Sequence, residues 1–319
     1  MALTVGILTF NSEGTIPDLL ESLPHGLAGI ANWRLVVADS GSTDGTIEVV
    51  RRLAPQTEII SLGANRGFAA AANKVIAVDP LAETVLILSP TTRLHPGCVR
   101  ALRDCMRDNQ AGIAVPRMLR GDGAAVISLR RRPSLLRAWT EAILGGELAR
   151  RLGPLSETIP NPETYDTSTP AAWATGAVTM LSRECIQKTG EWDESFFLYS
   201  EETDYELRAQ ANGIRLVFTP EAVATHLGGV STVKPELWAL TCANRVRLYG
   251  MWHGKLATTV YWAATIFGEL LRAAFSRPPT RRAALGKLVR EAGTLIRGLP
   301  ARYPYEGRQG PNARLAGRR

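Results

Sequence analysis

The chain is poor in the features that most readily assign a protein. Its 319 residues contain four cysteines, Cys98, Cys105, Cys185 and Cys242, and four histidines. There is no Cys-x-x-Cys pair, and no cysteine has a histidine partner at zinc spacing. A disulfide framework and a structural zinc are therefore excluded, and the thiols are expected to be reduced and buried in a cytosolic compartment. No Gly-x-Gly-x-x-Gly or Gly-Lys-Ser/Thr phosphate loop occurs, which argues against a dinucleotide enzyme or an ATPase. The uncharged run Leu256–Phe267 is twelve residues, too short to cross a bilayer. The start, Met1–Leu8, has no basic n-region of a signal peptide. No internal repeat is apparent.

What is present is the composition of a folded protein, with 45% hydrophobic and 21% charged residues. The net charge of +7 is uneven. Residues 255–319 hold 13 Lys and Arg against 3 Asp and Glu, a net of +10, which leaves −3 for residues 1–254. A nearly neutral body thus carries a basic tail, which attracts polyanions or an anionic membrane surface. Tyr261, Trp262 and Phe267, with Arg272, Arg277, Arg281 and Arg282 following, suit a helix lying in a membrane interface. A nucleic-acid partner is not expected, because the tail has no interleaved aromatics beyond Tyr303 and Tyr305.

Apolar runs and turn residues alternate along the first 115 positions. Strands are expected at Leu3–Thr9, Arg34–Ala38, Glu58–Ser61, Thr84–Leu88 and Gly112–Val115, with helices at Thr15–Leu23, Ile47–Leu53, Asn65–Val78 and Pro96–Arg107 between them. That order indicates a parallel sheet with right-handed crossovers, whose ligands bind beyond the carboxyl ends of the strands. Asn11, Asp39, Thr91 and Thr92 then share one rim. The middle is less regular: a helix over Leu135–Leu152, a loop over Gly153–Pro170 with four prolines, and an apolar run Ala174–Ser182 around Gly176. Two strands, Ile214–Phe218 and Ala222–Thr225, deliver His226, and Leu237–Gly250 is amphipathic.

The most telling stretch is Trp192–Asp204, in which four aromatics are followed by Glu201, Glu202 and Asp204. Crowded carboxylates repel one another and raise a pKa, which suits a proton acceptor near neutral pH. The alternative is a solvated, acidic first turn of a helix. Asp39, at a strand end, is either an acceptor for a pyrimidine N–H or a ribose hydroxyl, or a turn-forming residue. Asn65-Arg66-Gly67-Phe68 opens a helix where Arg66 favours a diphosphate, although the motif is also an ordinary helix start. His226 before two glycines is either a metal ligand, a diphosphate contact or a structural residue.

Val5–Asn11, Val36–Thr46, Asn65–Asn73, Leu86–Leu94 and Gly176–Gly229 together resemble family 2 glycosyltransferases of the GT-A fold, and bacterial rhamnosyltransferase-like members most of all. The resemblance covers about the first 250 residues. It implies a mixed, mainly parallel α/β sheet (Rossmann-like) flanked by helices, with a C-terminal helical extension. Residues 1–254 would form the transferase domain, with a nucleotide-sugar half at 1–115 and an acceptor half at 116–254, and 255–319 the tail. It also implies sugar transfer with inversion, from a nucleoside diphosphate donor to a hydroxyl of a cell-surface glycan or lipid-linked acceptor. Carried onto this chain, Asp39 matches the aspartate that contacts base or ribose, and Thr9, Asn11, Asn65 and Arg66 match its neighbours. Trp173, Thr175 and Gly176 match the acceptor-side strand. Glu202 matches the catalytic base, with Glu201 and Asp204 orienting the acceptor or tuning it, and His226 matches the histidine that completes a metal site.

One departure matters. Where the family ends its fourth strand in Asn-Pro-Asp or Asp-x-Asp, this chain reads Ser89-Pro90-Thr91-Thr92. Hydroxyls are poor primary ligands for Mg²⁺ or Mn²⁺. Three readings stay open: weak metal binding, neutralisation of the diphosphate by Arg93, Arg66 and His226, or a non-catalytic relative that keeps the fold as a nucleotide-binding or partner subunit. No organic cofactor is expected. A peripheral enzyme at the cytoplasmic face of the plasma membrane fits both the tail and a lipid-linked acceptor.

Overall fold

The structure is a computed structural model that describes residues 2–227, 234–275 and 279–297. In chain order the elements are β1 (Leu3–Thr9), α1 (Ile16–Gly26), β2 (Trp33–Asp39), α2 (Thr46–Leu53), β3 (Glu58–Ser61), α3 (Phe68–Val78), β4 (Thr84–Leu88), β5 (Thr92–Leu94), α4 (Cys98–Asp108), β6 (Ile113–Arg120), β7 (Leu129–Arg130), α5 (Leu135–Arg151), β8 (Thr169–Pro170), β9 (Trp173–Ala174), β10 (Val178–Ser182), α6 (Arg183–Thr189), α7 (Glu201–Ala211), β11 (Leu216–His226), α8 (Pro235–Trp252), α9 (Lys255–Phe275), α10 (Pro279–Arg290) and α11 (Ala292–Arg297). They form two compact units. The first holds residues 2–129, 162–197 and 201–227, and the second 130–161, 198–200 and 234–297.

The first unit is built on one sheet of order β3-β2-β1-β4-β10-β6-β11-β5, with β8 beside β11. Its β3-β2-β1-β4 half is parallel, as the βα alternation requires, and Thr9, Asp39 and Ser61 align across its carboxyl edge. β1 reads as seven consecutive buried residues, the signature of a strand covered on both faces. The sheet is mixed beyond β4, because β10 inserts antiparallel between β4 and β6. The fifth expected strand is therefore not β4's neighbour. The two strands expected at 214–225 are one, β11, with a register irregularity between Thr219 and Val223 around Pro220. Thr92 lies in β5 rather than in a rim loop, since that segment pairs antiparallel with β11.

The second unit is helical. α5 starts at Ser134, whose hydroxyl accepts from Arg137 N, and is broken at Gly145 (φ 75°). Ala239, Cys242, Val246 and Tyr249 of α8 share a core with Tyr261 of α9 and Ala284 and Leu288 of α10. The expected boundary at Gly254 is thus displaced: α8 belongs with the helices that follow it. The expected membrane role of Tyr261 and Trp262 is also corrected. Tyr261 is buried and stacked on Tyr249, and Trp262 Nε1 donates to Leu288 O, so both rings serve the bundle core. Arg277 and residues 298–319 lie outside the described residues.

Candidate active site

Every site residue expected from the sequence lies in the first unit. At the carboxyl edge of β1 and β2, Asp39 is buried and accepts four hydrogen bonds: from Thr9 Oγ1 (2.7 Å), Ser42 Oγ (2.5 Å), Ser42 N (2.8 Å) and Gly41 N (3.1 Å). Much of its capacity thus shapes the 40–46 turn, the alternative role a turn aspartate has. Asn11 sits in the left-handed region (φ 47°), and its Oδ1 accepts from Thr43 N (2.8 Å), which joins the β1 and β2 loops. Asn65 Oδ1 accepts from Gly67 N (3.1 Å) and so shapes the turn into α3.

Arg66 and Asn73 converge on the aromatic-acidic stretch. Arg66 Nη2 pairs with Glu194 Oε2 (2.8 Å), and Asn73 Nδ2 donates to Trp192 O (3.0 Å) and Glu194 Oε1 (3.1 Å), while Trp192 N donates to Asn73 Oδ1 (2.8 Å). Gly67 (φ 85°) lies so close to Phe197 that a Cβ would sit 2.0 Å from its carbonyl oxygen. Phe68 N donates to that same oxygen (3.3 Å). Trp192 stacks on Tyr205 of α7 at 4.5 Å between centroids. The start of α3 therefore fixes the segment that leads to the acids. Asn73 and Glu194 were not expected to act together, because they are distant in sequence.

Past β4, Ser89 Oγ and Thr91 Oγ1 are 2.8 Å apart, and Thr91 Oγ1 is 3.0 Å from His226 Nε2. Thr91 and His226 thus meet. Thr92 does not join them: it is fully buried and its hydroxyl donates to Ser89 O (2.7 Å). Arg93 points elsewhere, to Asp18 of α1 (2.6 Å), because side chains alternate along β5. Two hydroxyls and one imidazole, with no carboxylate, do not make a site for a hard divalent cation. Among the described residues no cluster of three His, Cys, Asp or Glu side chains is placed to hold a metal.

The acids open α7, and the turn before it is strained. Tyr199 and Ser200 take φ 67° and 76°, a conformation that costs about 1–3 kcal/mol per residue outside glycine. Asn244 of α8, buried and unremarked in the sequence, donates to Leu198 O and Tyr199 O (both 2.9 Å) and holds that turn. Glu201 is 4% exposed, and Glu202 is half-buried and packs over Gly176, where a Cβ would lie 2.9 Å from the Glu202 Cβ. Burial, and then the Glu202 charge beside it, push Glu201 well above the usual carboxylate range.

Asp204 is a correction. It is fully buried and bound to Arg208 Nε (2.8 Å), whose other nitrogens donate to Thr189 O and Glu191 O. A buried, forked ion pair of this kind positions a helix and is not free to orient an acceptor. The neighbour of Glu202 is instead Glu206, one helical turn on. Glu206 Oε2 accepts from Ala174 N (2.8 Å), and burial, with a further contribution from the Glu202 charge, holds its carboxyl well above the usual range despite that hydrogen bond. The (i, i+4) spacing from Glu202 was the available signal for it. Trp173 and Thr175 flank Ala174, so β9 is tied to the acidic helix.

Glu202 can take a proton, and the rim at the strand ends offers hydroxyls, the His226 imidazole and Arg66 to an anion. Residues 4–159 match the family described as "Glycosyl transferase family 2", and residues 157–279 match "Glycosyl transferase family group 2". An "N-acetylglucosaminyl-diphospho-decaprenol L-rhamnosyltransferase" of Mycobacterium tuberculosis is 27% identical over 88% of this chain and 96% of its own. A "Low-salt glycan biosynthesis hexosyltransferase Agl10" of Haloferax volcanii is 27% identical over 67% of this chain and 63% of its own. Among solved structures, S. aureus TarS 1–349 in complex with UDP-GlcNAc superposes with TM-score 0.55 at 14% identity, covering 93% of this chain and 82% of that one. GalNAc-T7 with UDP, GalNAc and Mn²⁺ gives 0.57 at 13% identity, covering 96% and 59%. The two structural likenesses show the GT-A fold.

Proposed function

Because the chain belongs to glycosyltransferase family 2, we propose that it transfers a sugar, with inversion, from a nucleoside diphosphate donor to a hydroxyl of a lipid-linked or cell-surface glycan. The rhamnosyl and decaprenol-linked chemistry in the Mycobacterium tuberculosis relative's name supports rhamnose as the sugar and a polyprenyl-linked acceptor. The observation that carries the reading is Glu202: a half-buried carboxyl group at a helix start, packed over Gly176, beside a buried acid. As the acceptor oxygen attacks the anomeric carbon, its proton passes to Glu202, and the bond to the diphosphate oxygen breaks on the opposite face. A placed carboxylate base contributes about 10²–10⁴-fold. The larger share comes from stabilising the departing diphosphate. Arg66, the start of α3 and the Thr91–His226 pair meet it here, and no step is routed through a metal. Arg66 is available because its pairing with Glu194 is half-exposed, and such pairs are weak. Asp39, Thr9, Asn11 and Asn65 shape the nucleoside side, and Trp173, Thr175 and Gly176 the acceptor side. The enzyme works at the inner face of the plasma membrane.

The test is nucleoside diphosphate release from a panel of nucleotide-sugars, with and without EDTA. The wild type releases product from its donor in EDTA, and Glu202→Gln loses transfer by about 10²-fold or more while still binding donor. Wild-type turnover in that variant would sink the assignment. A second reading, a non-catalytic partner subunit, is favoured by the missing carboxylate at Thr91, and it wins if no donor is turned over despite measurable binding.

A further inference from the structure

We propose that the outer face of α5 and α9 docks the protein on an anionic lipid bilayer, lying in the plane of its surface. It rests on the reading of a lipid-linked acceptor only for its purpose.

The face is apolar without being core. On α9, Phe267 is 43% and Leu270 53% exposed, and with Ala263 and Ala274 they share one uncharged stripe at helical spacing. On α5, Leu136 and Ile143 are 62% and 54% exposed and lie on the same side as Trp139. The Trp139 ring is 5.8 Å from that of Phe267, so the two stripes join. The helices also approach closely at Gly268, where a Cβ would lie 3.0 Å from the Ala142 Cα. Beyond the break at Gly145, Leu148 and Leu152 are exposed as well. Single exposed apolar residues are ordinary on a folded surface, whereas a joined row of aliphatic side chains is a contact surface.

The charge says which surface. Arg151 at the end of α5 and Arg282 and Arg290 on α10 are exposed, and residues 255–319 carry a net of +10. Exposed apolar side chains on a unit with surplus arginine meet the two demands of an anionic bilayer, an acyl boundary and a negative headgroup layer. A second copy of the chain is the poorer occupant, since it would bring two basic segments together. Among the described residues no helix is long and apolar enough to cross a membrane, so the face lies on the bilayer and does not enter through it.

The full chain is tested by cosedimentation with phosphatidylcholine vesicles with and without phosphatidylglycerol, in the absence of donor and acceptor. Binding to the anionic vesicles is expected, weakening with salt. The double substitution Phe267→Ser/Leu270→Ser should lower the partition coefficient at least about tenfold, with only a small fall in Tm from the lost Trp139 contact. Leu81→Ser, at an 88% exposed leucine of the first unit, should leave binding unchanged. Unaltered binding of the double variant overturns the face. Equal binding to neutral vesicles overturns its anionic preference. A dimer in light scattering that these substitutions dissolve, with no vesicle binding, assigns the face to a second copy. Nucleoside diphosphate release is read separately on the same proteins, so failure here is distinguishable from failure of the transferase reading.

Discussion

Four carboxylates fall within six residues at the head of α7, and their fates differ because 100° per residue turns each to a different neighbour. Asp204 meets Arg208 one turn on, and Glu202 meets Glu206 at the same spacing, so one pair attracts and the other repels. Both relations were legible in the sequence. What was not legible is depth: that Glu206 is buried against Ala174 N depends on a strand some thirty residues earlier. The consequence is a pH effect with a definite sign. Burial raises the Glu206 carboxyl above its ordinary value of 4.5, so the folded state holds the proton more tightly than the unfolded one. Its contribution to stability is full at and below about pH 4.5 and is lost as pH rises through the folded-state value. Glu206→Gln keeps an acceptor for Ala174 N and removes the charge. Its Tm is expected to exceed the wild type's at pH 8, and the gap should close toward pH 4.5. A variant melting below the wild type at pH 8 would show that the carboxylate is stabilising and reverse the argument.

At the scale of elements, the legible part is the part with local causes. The β1–α4 alternation follows from apolar runs and turn residues, and the structure keeps it to within three residues at each end, apart from β5, which was not expected between β4 and α4. The antiparallel insertion of β10 between β4 and β6 is a choice of partner across some ninety residues, and period-two alternation carries no information about it. The same holds for the joint between α3 and the aromatic stretch, where Gly67 read as an ordinary helix start but, with Asn73 inside the helix, serves the 192–197 segment. This gives a paired test. Gly63 and Gly67 both have positive φ (72° and 85°), but a Cβ at Gly63 meets nothing within 4 Å, whereas at Gly67 it meets the Phe197 carbonyl. Gly63→Ala should cost about 1–2 kcal/mol, the strain of a left-handed L-residue. Gly67→Ala should cost clearly more in denaturant melts, and should also lower turnover because the displaced segment leads into Glu201 and Glu202. Equal costs for the two would mean that the joint does not hold the acidic stretch.

At the scale of the whole chain, charge and packing divide it at different places. The charge changes at residue 255, where a body of −3 gives way to a segment of +10. The core does not change there, since α8 on one side and α9 and α10 on the other bury one another's apolar faces. A chain ended after Gly254 should therefore lose more than a membrane anchor. It uncovers Val246 and Tyr249, which are buried in the full protein, and is expected to bind ANS and to lose the near-ultraviolet dichroism of its α8 aromatics. Two point variants separate packing from surface. Tyr261→Ala, inside the bundle, should cost about 3–5 kcal/mol, whereas Leu256→Ala, at an 81% exposed side chain on the same helix, should fall within about 0.5 kcal/mol of the wild type. If Tyr261→Ala is as mild as Leu256→Ala, α9 is not part of that core and the division at 254 stands. If it is severe, loss of vesicle binding on truncation reports unfolding of the helical unit, and only substitutions on the exposed stripe of α5 and α9 speak to the membrane.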